Sequence, residues 1–282
     1  MTSFLRVGGA TGHADVERAR TAKWLVWRGL AEAIDDGVSA TSAGALIDAT
    51  YGNDVIRAVR DAGVRFATPV EESGREVFSF EADDWRERLA ELRPTWAKAL
   101  VRYNPEDDAS KNEVQRARLR ELSDHCRSVG PPLMLELLVP PTASQRGAVV
   151  GDRGRFDREV RGGLTVRAIE EFHDAGIEPA LWKLEGFETP AAYEAVAPAA
   201  SGGDRDAGLL ILGRGENADA VDRWLRAGAA VDGVVGFAIG RTIWWEPLRA
   251  HLDGAPDDEV VAGIAENYRR FVDVFASART PA

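Results

Sequence analysis

The chain has 282 residues, enough to bury a sizeable core in one large α/β domain or two smaller ones. A formal net charge of −11 and a pI near 5.0 argue against nucleic acid or an anionic membrane as a main partner. The single cysteine, Cys126, excludes an intrachain disulfide and fits a reducing compartment, and no apolar run approaches the roughly 20 residues that span a bilayer.

The opening MTSFLRVGGATGHADVERAR lacks the apolar core of a secretory signal, so a soluble cytoplasmic protein is expected. Within it VGGATG (7–12) is glycine-rich but follows no strand, which weighs against a dinucleotide or phosphate loop. A helix is expected at about 15–35, with Trp24, Trp27, Leu30 and Ile34 on one stripe. GALIDATYG (44–52) and VRFATPVEE (64–72) read as strands, followed by a helical stripe of Trp85, Leu89 and Leu92. WAKALVRYNP (96–105) is the third strand, Leu119, Leu122 and Cys126 the next stripe, and PLMLELLVP (132–140) the fourth strand. Ile169 and Phe172 mark a helix before PALWKLEG (179–186). Val221, Trp224 and Leu225 mark another between GLLILGRG (208–215) and VVGFAIGR (234–241). A last stripe holds Ile264, Tyr268, Phe271 and Val272. Each stripe is read as core packing.

Several of the seven strand candidates are nearly continuous apolar runs, as parallel strands buried on both faces are. Glycine-rich stretches such as SGGDRDAG (201–208) read as loops inside one domain, 1–282. Unbroken strand–helix alternation predicts an α/β fold, with a TIM (β/α)8-type barrel favoured over an open sheet. Lys98, Glu136, Lys183, Glu185, Arg214 and Arg241 lie in or at the ends of five different strands. A barrel gathers such residues at one mouth, whereas a doubly wound sheet draws its site from only a few strands.

The chain carries 31 arginines and only four lysines, Lys23, Lys98, Lys111 and Lys183. Two of the four fall in apolar, strand-like runs. A buried ammonium is costly unless paired or neutralised, and arginine cannot replace lysine where a free amine must attack a carbonyl. The plain alternative is a structural Lys–Glu pair. Glu136, inside LMLELLVP, is a candidate acid/base beside such a lysine. Gly213 with Arg214, and Gly240 with Arg241, lie at the ends of the last two strand candidates, where barrels often bind phosphate. His13, His125, His173 and His251 lack metal-ligand spacing, so no metal is expected. There is no GxSxG elbow, and Cys126 reads as a small core residue.

FAIGRTIWWEPL (237–248), ENYRRFVDVF (266–275), KALVRYNPED (98–107), LLVP (137–140) and WKLEG (182–186) together resemble the DUF2090 family. The resemblance runs from about residue 15 onward. Members of that family are similar to class I tagatose 1,6-bisphosphate aldolases, which are (β/α)8 barrels, and some are fused to an inositol-pathway sugar kinase. The resemblance implies Lys183 as the Schiff-base lysine, Glu136 as acid/base, Lys98 as the strand-four lysine and Arg241 as a phosphate ligand. On the substrate side it implies Asp48 of DATYG and Glu71 of EESG, with a small phosphorylated molecule as partner and no cofactor. The implied reaction cleaves 2-deoxy-5-keto-gluconate 6-phosphate to dihydroxyacetone phosphate and malonate semialdehyde.

Three departures accompany the resemblance. The family's opening strand, ending Asp-His-Arg-Gly, has no counterpart, and MTSFLRVGG resembles the loop after it. Ala49 replaces an acid, and Glu72 replaces a lysine. A barrel without its first strand is therefore expected, its open edges favouring self-association. The alternative function is a degenerate barrel that binds or regulates, against which the intact lysine–glutamate set counts.

Overall fold

Apolar runs of three to seven residues, bounded by glycine, proline or acidic caps, form the strands of this chain, and amphipathic stretches between them form the helices. The computed structural model describes residues 13–148, 152–203 and 205–279. The chain begins with α1 (His13–Asp35), β1 (Gly44–Leu46), α2 (Ala49–Asp61), β2 (Arg65–Pro69), α3 (Trp85–Leu92) and β3 (Trp96–Arg102). It continues through α4 (Ala109–Ser128), β4 (Leu133–Leu138), α5 (Ala143–Ala148), α6 (Arg153–Glu159), α7 (Arg161–Asp174) and β5 (Leu181–Glu185). It ends with α8 (Pro190–Ser201), β6 (Gly208–Leu212), α9 (Ala218–Ala229), β7 (Val234–Ala238), α10 (Arg241–Leu252) and α11 (Asp257–Arg279). None of the described helices is long and apolar enough to cross a membrane.

The described residues fall into two compact units. The first joins the chain up to Pro69 with 240–273. Here β1 and β2 pair in parallel, Gly44 opposite Arg65 and Leu46 opposite Ala67. Leu25, Leu30 and Ala33 of α1, Val55 and Val59 of α2, and Ile264 and Phe271 of α11 are buried. Gly29 lets α1 approach α11 closely, since a Cβ there would lie 2.5 Å from Ile264. Trp24 is 43% exposed, so the inward stripe of α1 runs through Trp27 and Leu30 without it. The strand expected at 44–52 stops at Leu46, because the Asp48 side chain accepts the Tyr51 N–H and caps α2.

The second unit, 70–239 with the residues from Val274 on, holds β3 to β7, each parallel to the next in chain order. Leu100 stands opposite Glu136, and Glu136 opposite Lys183. β4 and β5 are buried on both faces, as parallel strands covered by helices must be. Alternation sends Trp182 outward, stacked 6.2 Å from Phe172 of α7, and Lys183 to the opposite face. Cys126 is a buried free thiol on α4, pushed up to about 12 by burial. The strands expected to run to Gly215 and Arg241 end earlier, at Leu212 and Ala238. Arg214 (φ 54°) and Gly215 (φ 77°) are left-handed, which turns the chain out of β6, and Arg241 opens α10.

Seven parallel strands alternating with helices make this an α/β fold of the TIM (β/α)8-barrel type, one strand short among the described residues. The expectation concerning MTSFLRVGG lies outside the described residues.

Candidate active site

Three adjacent strands of the second unit bring ionisable side chains together: Lys98 from β3, Glu136 from β4 and Lys183 from β5. All three are buried. One oxygen of Glu136, Oε2, receives Lys98 Nζ at 2.9 Å and Lys183 Nζ at 3.1 Å. Beside β3, the Val70 N–H donates to the Lys98 carbonyl at 2.9 Å, which brings Glu71 alongside. Glu71 Oε1 then lies 2.5 Å from Lys98 Nζ. Two acids and two amines thus form one buried line.

Their protonation follows from burial and from each other. Burial pushes the Glu136 carboxyl up, but the Lys183 and Lys98 charges outweigh it and bring it down to about 2. Burial opposes charge on Lys98, yet Glu71 and Glu136 hold it at about 12. Lys183 has only one carboxylate in contact, so burial prevails and lowers its amine below the ordinary lysine value, helped by the Lys98 charge. Burial also raises Glu71, more than Lys98 lowers it. The arrangement favours the charged form of Lys98 and shifts Lys183 towards the free amine.

Glu185, two residues after Lys183, anchors a neighbouring cluster. Its Oε2 accepts the Val139 N–H at 2.9 Å, and its Oε1 lies 3.0 Å from Arg214 Nε. Arg214 also donates to Asp157 of α6 at 2.8 Å, and Asp157 pairs with buried Arg161 at 2.9 Å. Gly213 is buried, and a Cβ there would lie 3.2 Å from Ile239. Asp48, Gly240 and Arg241 belong to the first unit. Asp48 pairs there with Lys23 of α1, Gly240 precedes α10, and Arg241 is exposed. Of the two adjacent acids of EESG, Glu71 turns inward, while Glu72 pairs with Arg75 at 2.8 Å and is half-exposed. Lys23, Asp157 and Arg161 are charged residues that strand periodicity could not reveal, since all three lie on helices.

The parallel α/β barrel-type fold is shared with several solved structures. Fructose-bisphosphate aldolase from Plasmodium falciparum, solved with TRAP and a small-molecule inhibitor, is 12% identical and superposes with a TM-score of 0.62 over 95% of both chains. The enzyme from Slackia heliotrinireducens is 13% identical, with a TM-score of 0.56 over 92% of this chain and 78% of that one. An archaeal fructose 1,6-bisphosphate aldolase is 11% identical, with a TM-score of 0.53 over 88% and 99%. At these identities the likeness is one of fold. No curated protein matches. The chain belongs to the family described as "Uncharacterized protein conserved in bacteria (DUF2090)", which matches residues 9–279.

Proposed function

We propose that this chain is a Schiff-base aldolase acting on a phosphorylated keto sugar or keto acid. The observation that carries the reading is Lys183, a buried amine with a lowered pKa, 3.1 Å from a carboxylate that a second lysine holds in place. The free amine of Lys183 attacks the substrate ketone, and loss of water leaves an iminium. The hydroxyl β to the iminium carbon then gives up its proton, with Glu136 as base. The carbon–carbon bond breaks, its electron pair passes into the iminium, and an enamine remains. Protonation and hydrolysis release the ketone product and restore Lys183. Lys98, charged in the resting site, polarises the reacting oxygen. Within the second unit, Arg214 with Gly213 is the proposed phosphate ligand, and Glu71 faces the rest of the substrate.

The family resemblance supports 2-deoxy-5-keto-gluconate 6-phosphate as substrate, giving dihydroxyacetone phosphate and malonate semialdehyde. The test begins with the product ketone. Incubation with dihydroxyacetone phosphate and borohydride, followed by mass spectrometry, should place one reduced adduct on Lys183. Lys183→Arg should keep the fold and abolish trapping. An adduct on Lys98, or none at all, would show a different chemistry or a barrel that only binds.

A further inference from the structure

Glu71, placed above on the substrate side, has surroundings that give it a second task. Separations of 2.5, 2.9 and 3.1 Å make an unbroken line from Glu71 through Lys98 and Glu136 to Lys183. Its second oxygen, Oε2, is buried and has no hydrogen-bond partner among the described residues. A carboxylate with one oxygen so placed is poorly solvated, which favours the neutral acid. The charged groups facing it are Lys98, in contact, and Glu136 and Lys183 beyond. On its own loop, Glu72 and Arg75 turn away and pair with each other.

Iminium formation consumes one proton: amine, ketone and a proton give iminium and water. A buried cluster accepts an extra positive charge only at high cost, so the proton is best drawn from within. Glu136 is a poor source, since the Lys98 ammonium in contact with it stabilises its ionised form. We propose that Glu71 is the proton store of this site, a positioning residue that acts through Lys98 to supply the proton consumed at Lys183. Lys98 gives its proton to the carbinolamine oxygen, the C–O bond breaks, water departs, and the nitrogen lone pair closes the iminium. Glu71 then returns a proton to Lys98. Before the step the line holds neutral Glu71, Lys98 ammonium, Glu136 carboxylate and Lys183 amine. Afterwards it holds Glu71 carboxylate, Lys98 ammonium, Glu136 carboxylate and the Lys183 iminium. The net charge is zero on both sides.

The inference rests on the Schiff-base reading, and the experiment separates the two. Adduct formation with dihydroxyacetone phosphate is followed by rapid borohydride quench across a pH series, for the native chain and for Glu71→Gln. Both should reach one adduct on Lys183, but Glu71→Gln should form it roughly a hundredfold more slowly, the order of one lost acid catalyst. Its rate should fall steadily with rising pH where the native rate is level, and Glu71→Asp should recover part of the loss. A measurement on the native chain covers the case in which the variant misfolds. The infrared band of a protonated carboxyl should disappear as the iminium forms. Native rate and native pH profile in Glu71→Gln, or no loss of that band, would overturn the proton store while leaving the Schiff base standing. Failure of the native chain to trap would overturn both.

Discussion

Glu136 accepts from two amines through one oxygen, so removing its charge leaves Lys98 and Lys183 facing each other in a buried site. Its folded pKa of about 2 lies below the ordinary 4.5. The stabilisation it provides is therefore fully present above about pH 4.5 and is lost as the pH falls from there towards 2. The displacement corresponds to a stabilisation on the order of 3 kcal/mol. Glu136→Gln should accordingly be less stable than the native chain at pH 7, and the gap should close on acidification. Urea midpoints measured from pH 7 down to pH 3 check this. A gap of constant size at every pH would mean that Glu136 acts through shape alone. Lys183 behaves in the opposite sense: its lowered pKa means that burial works against the charged form, the condition a nucleophilic amine needs.

At the scale of elements, the strand ends aim these groups, and glycines set how closely the covering helices approach. Gly186 follows β5 directly, and a Cβ there would collide with the Trp224 indole of α9. The indole cannot swing away cheaply, because it is buried and its Nε1 donates to Glu188 at 2.9 Å. Gly186→Ala should cost about 1–3 kcal/mol, the usual range for overpacking, and should slow Lys183 trapping by displacing the end of β5. Gly147→Ala on α5 is the control, since a Cβ there meets nothing within 4 Å. Equal melting temperatures for the two variants would remove packing as the explanation. Much of this arrangement can be read from sequence. Lys98, Glu136 and Lys183 sit in apolar runs where alternation assigns one face, and the scarcity of lysine singles two of them out. Other parts cannot be read in that way. Glu71 and Glu72 are identical neighbours, and only the path of the turn after β2 decides which faces Lys98. The run GALIDATYG keeps a strand-like composition after Leu46, but Asp48 captures a helix N–H and ends the strand. Asp157 and Arg161 have the spacing of an ordinary surface pair, yet they lock α6 and α7 to Glu185 and Arg214.

At the scale of the whole molecule, the consequence of having seven strands among the described residues can be followed on β7. Within the second unit, and among the described residues, β7 pairs only with β6. Unpaired backbone on an edge strand is a template for another chain unless something blunts it. Here the last residues of α11 do so: Phe275 packs edge-on against Phe237 at 5.8 Å, and Arg279 donates to the Val234 carbonyl at 2.9 Å. Val235 nevertheless remains 51% exposed. The net charge of −11 opposes close approach of two copies, and salt weakens that repulsion. Replacing the cover with the pair Phe275→Ala and Arg279→Ala should therefore produce association that grows with both protein and salt concentration. Adding Val235→Lys to the same chain should reverse it, because a lysine on the edge resists strand pairing. Sedimentation velocity over a concentration series at low and high salt measures both effects. If the uncovered variant sediments like the native chain under all conditions, the end of α11 does not protect this edge. If Val235→Lys leaves the association intact, the contact forms elsewhere than on β7.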